Sequence, residues 1–297
     1  MTVARAGYAA LLGRPNVGKS TLLNRLIGQK LSITAPKPQT TRHVILGIQT
    51  LPDAQIVYVD TPGLHRRGRR ALNRHLNRAA ASVLGYVDVV VWLVEALRWT
   101  EEDEDVLHRL ADFAGPVVLA ANKVDRITDK SRLLPFLHDL AGKRNFSEVV
   151  PLAAISGDNV AALEQVIARL LPAGDLLFPA EQMTTASERF LAAELVREKL
   201  TRLLREELPY ALTVEIEHFV DEGRLARIHA VIWVERETQK GIVIGDKGAT
   251  LREVGRQARE DMERLFGRKV FLQTWVKVRE GWSDDERALR SLGYADP

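Results

Sequence analysis

The octapeptide Gly13, Arg14, Pro15, Asn16, Val17, Gly18, Lys19, Ser20 constrains this chain more than any other feature. It fits the pattern of a glycine, four residues, a second glycine, a lysine and a hydroxyl residue. Glycines let the backbone wrap an anion so that successive N–H groups converge on it. A helix opening near Gly18 adds its positive end. Such a loop has to lie between a buried strand and a helix. The apolar run 7–12 precedes it and a helical stretch, 20–26, follows. In this pattern Lys19 reaches the β- and γ-phosphates of a nucleotide, and the Ser20 hydroxyl takes one Mg²⁺ position.

Further short runs rich in Val, Ile and Leu lie at 56–59, 87–94, 116–121 and 149–153. Helical stretches at 71–84, 102–111 and 131–140 alternate with them. Runs of this kind suit strands buried on both faces, so the first part is expected to be a three-layer α/β domain with a mainly parallel sheet. The chain has 297 residues, which at about 150 residues per domain leaves room for a second unit. Residues 171–180 carry two prolines and a glycine and read as a linker. The expected division is a nucleotide domain over 1–173, a linker over 174–186 and a second domain over 187–297.

The second part reads differently. A capping box from Thr185 to Glu188 is expected to open an amphipathic helix with Leu191, Leu195, Leu200 and Leu204 inward. Alternating strands are expected at 212–219 and 228–234. Two helical stretches flank Gly245 to Gly248, and a strand follows at 270–278. The order is α-β-β-α-α-β, a small α+β domain. The chain has no cysteine, which excludes a disulfide scaffold, a thiolate zinc site and a cysteine nucleophile. No apolar run approaches the ~18 residues of a membrane span, and the N-terminus lacks a signal peptide's layout.

Three more elements follow the glycine loop in order. Asp60, Thr61, Pro62 and Gly63 end the strand at 56–59; Asp60 can hold Mg²⁺ through water, and the Gly63 N–H can bond a γ-phosphate. Asn122, Lys123, Val124 and Asp125 end the strand at 116–121. The Asp125 carboxylate can accept from guanine N1–H and N2–H, a donor pair that adenine lacks, so it selects GTP over ATP. Lys123 can lay its stem over the base. Gln39, Thr40, Thr41 and Arg42 lie between the loop and Asp60, where a threonine could complete the Mg²⁺ shell only when a γ-phosphate is present.

The run from Gly13 through Ser20, Thr21 and on to Asn24, with Gln39 to Arg42 and Asp60 to Leu64, closely resembles the Era family of ribosome-assembly GTPases. Within that family the Mg²⁺-binding switch threonine corresponds to Thr41 rather than Thr40. The resemblance places Ala153 and Ala154 where the family usually has Ser-Ala. The Ala154 N–H could still meet guanine O6, while the missing hydroxyl bears on the rigidity of that loop.

Leu64 stands where related enzymes of another branch use a glutamine to orient water. Leucine cannot do that. Hydrolysis is therefore expected to be slow, with Lys19, Thr41, Gly63 and Asn16 as the catalytic candidates. Three explanations stay open: backbone assistance, a partner that completes the site, or a monovalent cation, K⁺, held beside the phosphates by Asn16. His65 is read as a solvated residue. The basic run 65–70 is either a solvated loop or a phosphate-contacting patch on RNA.

In the second part, Ile242, Ile244, Gly245, Asp246, Lys247 and Gly248 form a glycine-x-x-glycine loop after apolar residues. With the element order around it, the loop resembles a KH domain of the second type. Two glycines let the backbone of a four-nucleotide single strand lie close, and bases then sit in an apolar groove. Lys240, Lys247 and Arg252 are the expected RNA-contacting cations. Residues 240–269 hold 8 Lys/Arg against 5 Asp/Glu, inside a second part (181–297) that carries 20 against 22. Trp233, Phe271 and Trp275 are read as core or half-buried strand residues rather than base-stacking platforms.

The Era resemblance extends through Glu206 to Tyr210, Val234 to Glu237 and Gly281 to Tyr294, so it covers nearly the whole chain. It implies a GTP-hydrolysing switch that binds single-stranded RNA near the 3′ end of small-subunit ribosomal RNA and acts in maturation of the small ribosomal subunit. A cytoplasmic monomer with some peripheral membrane association is the matching expectation. Two other readings remain: an RNA-binding scaffold that does not hydrolyse GTP, and a membrane-associated signalling GTPase whose second domain binds protein.

Overall fold

The structure is a computed structural model that describes residues 4–37, 40–63, 71–204 and 208–294. Its first domain is built on six strands: β1 (Arg5–Leu12), β2 (Ile45–Thr50), β3 (Ala54–Asp60), β4 (Val89–Glu95), β5 (Val117–Asn122) and β6 (Glu148–Pro151). Their order is β2-β3-β1-β4-β5-β6. Only β2 runs antiparallel, against β3. Every residue of β3 and β5 is buried, as strands covered on both faces must be.

Helices α1 (Lys19–Ile27) and α5 (Val160–Leu170) pack on one face through Leu22, Leu23, Leu26, Leu163 and Ile167. On the other face lie α2 (Ala71–Ser82), α3 (Glu101–Arg109) and α4 (Leu133–Ala141), which contribute Ala80, Val106 and Leu140. The expected three layers are therefore present. The edge strand β2 was not expected. Its burial alternates only in part, and Gly47 interrupts it where Leu23 and Ile27 press against the strand.

The expected linker lies along the first domain. Gly174 N donates to Ala4 O, Ile48 N to Met183 O at 2.8 Å, and the Thr184 hydroxyl to Leu46 O. Helix α6 (Glu188–Leu203) then begins the second domain. Its N-cap is Ser187, whose hydroxyl accepts from Phe190 N at 3.2 Å. This corrects the expected capping box at Thr185: the helix starts two residues later, where the chain leaves the sheet edge.

Strands β7 (Leu212–Asp221), β8 (Leu225–Val234) and β9 (Lys269–Val278) form the second sheet, with β8 central and parallel to β9. Between β8 and β9 run α7 (Glu237–Ile244) and α8 (Ala249–Phe266). Helices α6, α7 and α8 cover one sheet face through Leu195, Leu200, Val243, Val254, Ala258 and Met262. Trp233 is half-buried, as expected, whereas on β9 Phe271 is 44% and Trp275 37% exposed, more open than the core or half-buried positions expected of them. A last helix, α9 (Glu286–Ser291), carries Leu289 toward α2, where Trp282 and Tyr294 close a separate buried cluster with Leu72 and Leu76. Among the described residues no helix is long and apolar enough to cross a membrane.

Candidate functional site

The C-terminal ends of β1, β3 and β5 meet above the start of α1, as parallel strands in open α/β sheets do at a ligand crevice. A cavity of about 300 Å³ opens there. Pro15, Asn16, Gly18, Lys19, Ser20, Thr21, Thr41, Gly63, Asn122, Lys123, Asp125 and Ala154 line it. Sequence reasoning missed four further lining residues from the segment before Thr40, namely Ile33, Thr34, Ala35 and Pro36, together with Arg126 and Ile155.

At one end of the cavity the Lys19 ammonium donates to Gly13 O at 2.9 Å and Arg14 O at 3.0 Å. Burial lowers its pKa to about 8, against the attraction of Asp60. The Ser20 hydroxyl lies 2.8 Å from Thr41 Oγ1 and donates to Asp60 Oδ2 at 2.8 Å. Ser32, in none of the motifs, donates to the same oxygen at 2.7 Å. Asp60 is fully buried and its Oδ1 has no hydrogen-bond partner among the described residues. Burial raises its pKa despite Lys19 and the hydroxyls. A buried carboxylate oxygen without a donor costs free energy unless a cation meets it. Two hydroxyls and a carboxylate, all oxygen, are what Mg²⁺ takes from protein while it keeps water and phosphate oxygens. The site therefore fits that ion.

Of the neighbouring threonines only Thr41 points at this cluster; the Thr40 hydroxyl donates to Lys37 O at 2.6 Å. Asn16 Nδ2 donates to Pro36 O at 3.1 Å. Gln39, Leu64 and the run 65–70 lie outside the described residues.

At the other end Asn122 ties three segments together. Its Nδ2 donates to Val17 O at 2.8 Å, while its Oδ1 accepts from Lys123 N and from Ala154 N at 2.9 Å. The Ala154 N–H, expected to meet guanine O6, donates to Asn122 in this structure, and Ala154 lines the cavity. With alanine at 153, the loop is held by Ala153 N to Asp158 O at 3.0 Å and Gly157 N to Ala153 O at 2.8 Å, and by the Ser156 hydroxyl, which donates to Asp158 Oδ2 at 2.8 Å. Arg25, from α1, also donates to Ala154 O. Lys123 Nζ stands 3.1 Å from Glu95. Asp125 is exposed at the cavity and has no bonding partner among the described residues.

Several expected nucleotide residues do not line the cavity: Gly13, Arg14, Val17, Asp60, Thr61, Pro62, Val124 and Ala153. They brace it. Arg14 is buried on Glu95 at 2.7 Å and Asp103 at 3.2 Å, and the Thr61 hydroxyl donates to Leu11 O.

In the second domain, Gly245 ends α7 and Gly248 caps α8. Ile242 is 58% exposed, and Asp246, Lys247 and Arg252 are exposed with it; Ile244 is half-buried. Most of the local positive charge is already paired: Arg256 with Glu253 and Glu260, Arg259 with Glu263, Arg264 with Asp261, Arg268 with Glu188, and Lys240 with Glu237. Lys247 and Arg252, the two cations nearest the loop, have no ion pair among the described residues.

Comparison with known proteins covers both domains. Residues 8–123 match the 50S ribosome-binding GTPase family and residues 207–283 the KH domain. GTPase Era of Pseudomonas savastanoi pv. phaseolicola is 57% identical over 295 residues, 99% of this chain and 98% of that protein. Two solved structures have TM-scores of 0.95, and each covers 98% of this chain and 99% of the other. One is a point variant of Aquifex aeolicus Era bound to GDP·AlF4⁻, at 37% identity; the other is Era with MgGDPNP and nucleotides 1506–1542 of 16S ribosomal RNA, at 38%. A cavity at the glycine loop, a KH domain after it and identity along nearly the full length agree, and the chain belongs to the Era family of GTPases.

Proposed function

We propose that this GTPase is a switch that reads guanine, closes on a magnesium-bound triphosphate and clamps single-stranded RNA near the 3′ end of 16S ribosomal RNA. The observation that carries the nucleotide part is Asp60 Oδ1, buried and without a donor beside Ser20 and Thr41. Ser20, Thr41 and Asp60 would hold Mg²⁺, which supplies charge neutralisation at the phosphates. Lys19 and the N–H groups of Gly13 to Thr21 bind and orient the phosphates, and Gly63 is the γ-phosphate donor. Asn122 fixes the base loop, and Asp125, free at the cavity, accepts from the guanine edge. With Asn16 Nδ2 on Pro36 O, its Oδ1 is the atom available to a K⁺ ion. K⁺ then raises turnover over Na⁺, and Asn16→Ala removes the difference.

The RNA part rests on the KH fold, on the RNA held by the Era structure of matching fold, and on Lys247 and Arg252 beside the loop. Ile242, Ile244, Gly245, Asp246 and Gly248 form the contact ridge, with Lys240 at its edge. The nucleotide unit lies within 1–173 and the RNA unit within 187–297. The biological setting, maturation of the small ribosomal subunit by a cytoplasmic monomer with a peripheral membrane stay, rests on the family resemblance.

The test is paired. Calorimetry with Mg²⁺ should show GTP and GDP bound in preference to ATP and ADP; equal binding overturns the reading. Gly245→Asp with Gly248→Asp should abolish capture of a 16S 3′-end oligonucleotide while GTP hydrolysis continues. Unchanged capture removes the RNA assignment.

A further inference from the structure

Thr41 is held in place from the second domain. Its neighbour on one side, Thr40, gives its carbonyl to Arg197 Nη2 of α6. On the other side, Arg42 is buried and reaches into the second domain. Its Nη1 donates to Leu212 O at 2.8 Å, and its Nη2 to Pro209 O at 3.0 Å and Tyr210 O at 3.3 Å. Farther upstream, Thr34 N donates to Glu198 Oε1 at 3.0 Å and Arg202 Nε donates to Thr34 O at 2.9 Å. Thr34 and Thr40 are therefore bonded to α6, and Arg42 to the turn before β7 and its first residue. Arg197 is aimed by its own helix: Glu194 takes its Nε at 2.7 Å and its Nη2 at 2.6 Å.

A loop threonine that meets Mg²⁺ only when a γ-phosphate is present has to be brought to the ion and kept there. Inside the first domain, the Thr41 hydroxyl lies 2.8 Å from Ser20 Oγ. The backbone on either side is fixed by the second domain. We infer that Arg197 is a positioning residue for the triphosphate state: by holding the Thr40 carbonyl it keeps Thr41 at Ser20 and Asp60, so that docking of α6 on this segment favours GTP over GDP. This rests on the reading of Thr41 as a γ-phosphate-dependent ligand. By reciprocity, whatever pulls α6 from the segment lowers GTP affinity by the factor with which GTP favours the docked state.

The test uses the full chain. Arg197→Met removes the bond to Thr40 but leaves Glu194 buried without its partner, so it is made beside the double variant Glu194→Met with Arg197→Met, which leaves no buried charge of that pair. For each, affinity for GDP and for a non-hydrolysable GTP analogue is measured across Mg²⁺ concentrations, with a melting curve as a check of folding. The expected result is a loss of analogue affinity on the order of tenfold, a higher Mg²⁺ requirement and unchanged GDP affinity. A merely structural role would move both nucleotides together. Thr41→Ala gauges the underlying reading. If it leaves the analogue-to-GDP ratio unchanged, the role of Thr41 and the inference fall together. If it lowers the ratio while the folded Arg197 variants do not, the inference alone is overturned.

Discussion

The two glycine loops of this chain, each proposed to meet an anion, stand in opposite surroundings. Each ends with a glycine in the left-handed region that caps a helix: Gly18 at φ 112° before α1, and Gly248 at φ 79° before α8. At Gly18 an added Cβ would stand 2.2 Å from Asn122 Nδ2; at Gly248 nothing lies within 4 Å. The first loop is walled by the base loop, by residues 33–36 and by Thr40 and Thr41, and its lysine is buried. The second stands on an open ridge beside exposed Lys247 and Arg252. The same backbone device takes a compact polyanion where walls close over it, and a length of polymer where they do not.

The comparison breaks most sharply at the base end, because an open ridge has no counterpart of Asp125. Asp125→Asn replaces a two-oxygen acceptor with an amide that presents N–H to the guanine N1–H. Preference for GTP over ATP should fall by roughly 100-fold or more, read by competition calorimetry, while RNA binding stays as it was. A variant that still rejects ATP would place base selection elsewhere.

Next in size is the contrast between the glycines themselves. Gly18→Ala meets both a left-handed backbone and the Asn122 amide, and should abolish nucleotide binding. Gly248→Ala meets only the backbone strain, roughly 1–2 kcal/mol, read by denaturant unfolding. Equal losses at the two sites would mean that space around the glycine is not what distinguishes them.

The nucleotide site was legible because its parts are contiguous: 13–20, 60–63 and 122–125 each carry their chemistry in a few successive residues at strand ends. The α-β-β-α-α-β order was legible from period alone. What escaped depends on distant packing. Helix α6 buries Glu194, Arg197, Glu198, Lys199 and Thr201, residues that periodicity assigns to solvent, because its second face lies against Lys30, Thr34 and Thr40 of the other domain. Phe271 and Trp275 read as core or half-buried because alternation tells which residues share a sheet face but not which face is covered. Strand β2 hides behind its central glycine, and the use of the Ala154 N–H by Asn122 is visible only once β5 and the loop after β6 are side by side.

Salt separates the loops by a smaller factor. A single strand that contacts about three phosphates has a slope near −0.7 per phosphate, so RNA affinity should fall roughly 20-fold between about 50 and 200 mM salt. Nucleotide affinity, carried by buried groups, should fall far less. Matching slopes would put the triphosphate on the surface too.

Proton linkage at Lys19 gives the smallest effect and the most direct reading of the closed wall. Burial holds its pKa near about 8 in the free protein, below its unfolded value. A phosphate set beside it favours the charged form and raises that pKa. Below pH 8 free and bound protein carry the same proton and affinity is level. Above it the free protein loses the proton while the complex keeps it, so affinity weakens with rising pH, by roughly tenfold between pH 7 and 9. The free protein should gain stability over the same window, because its unfolded chain still holds the proton there. Lys247 is exposed on the ridge, and RNA binding should be level from pH 7 to 9. Calorimetry of GDP and of RNA across that window makes the comparison in one protein. A flat nucleotide curve would mean that Lys19 is charged in the free site and that the wall around it admits water.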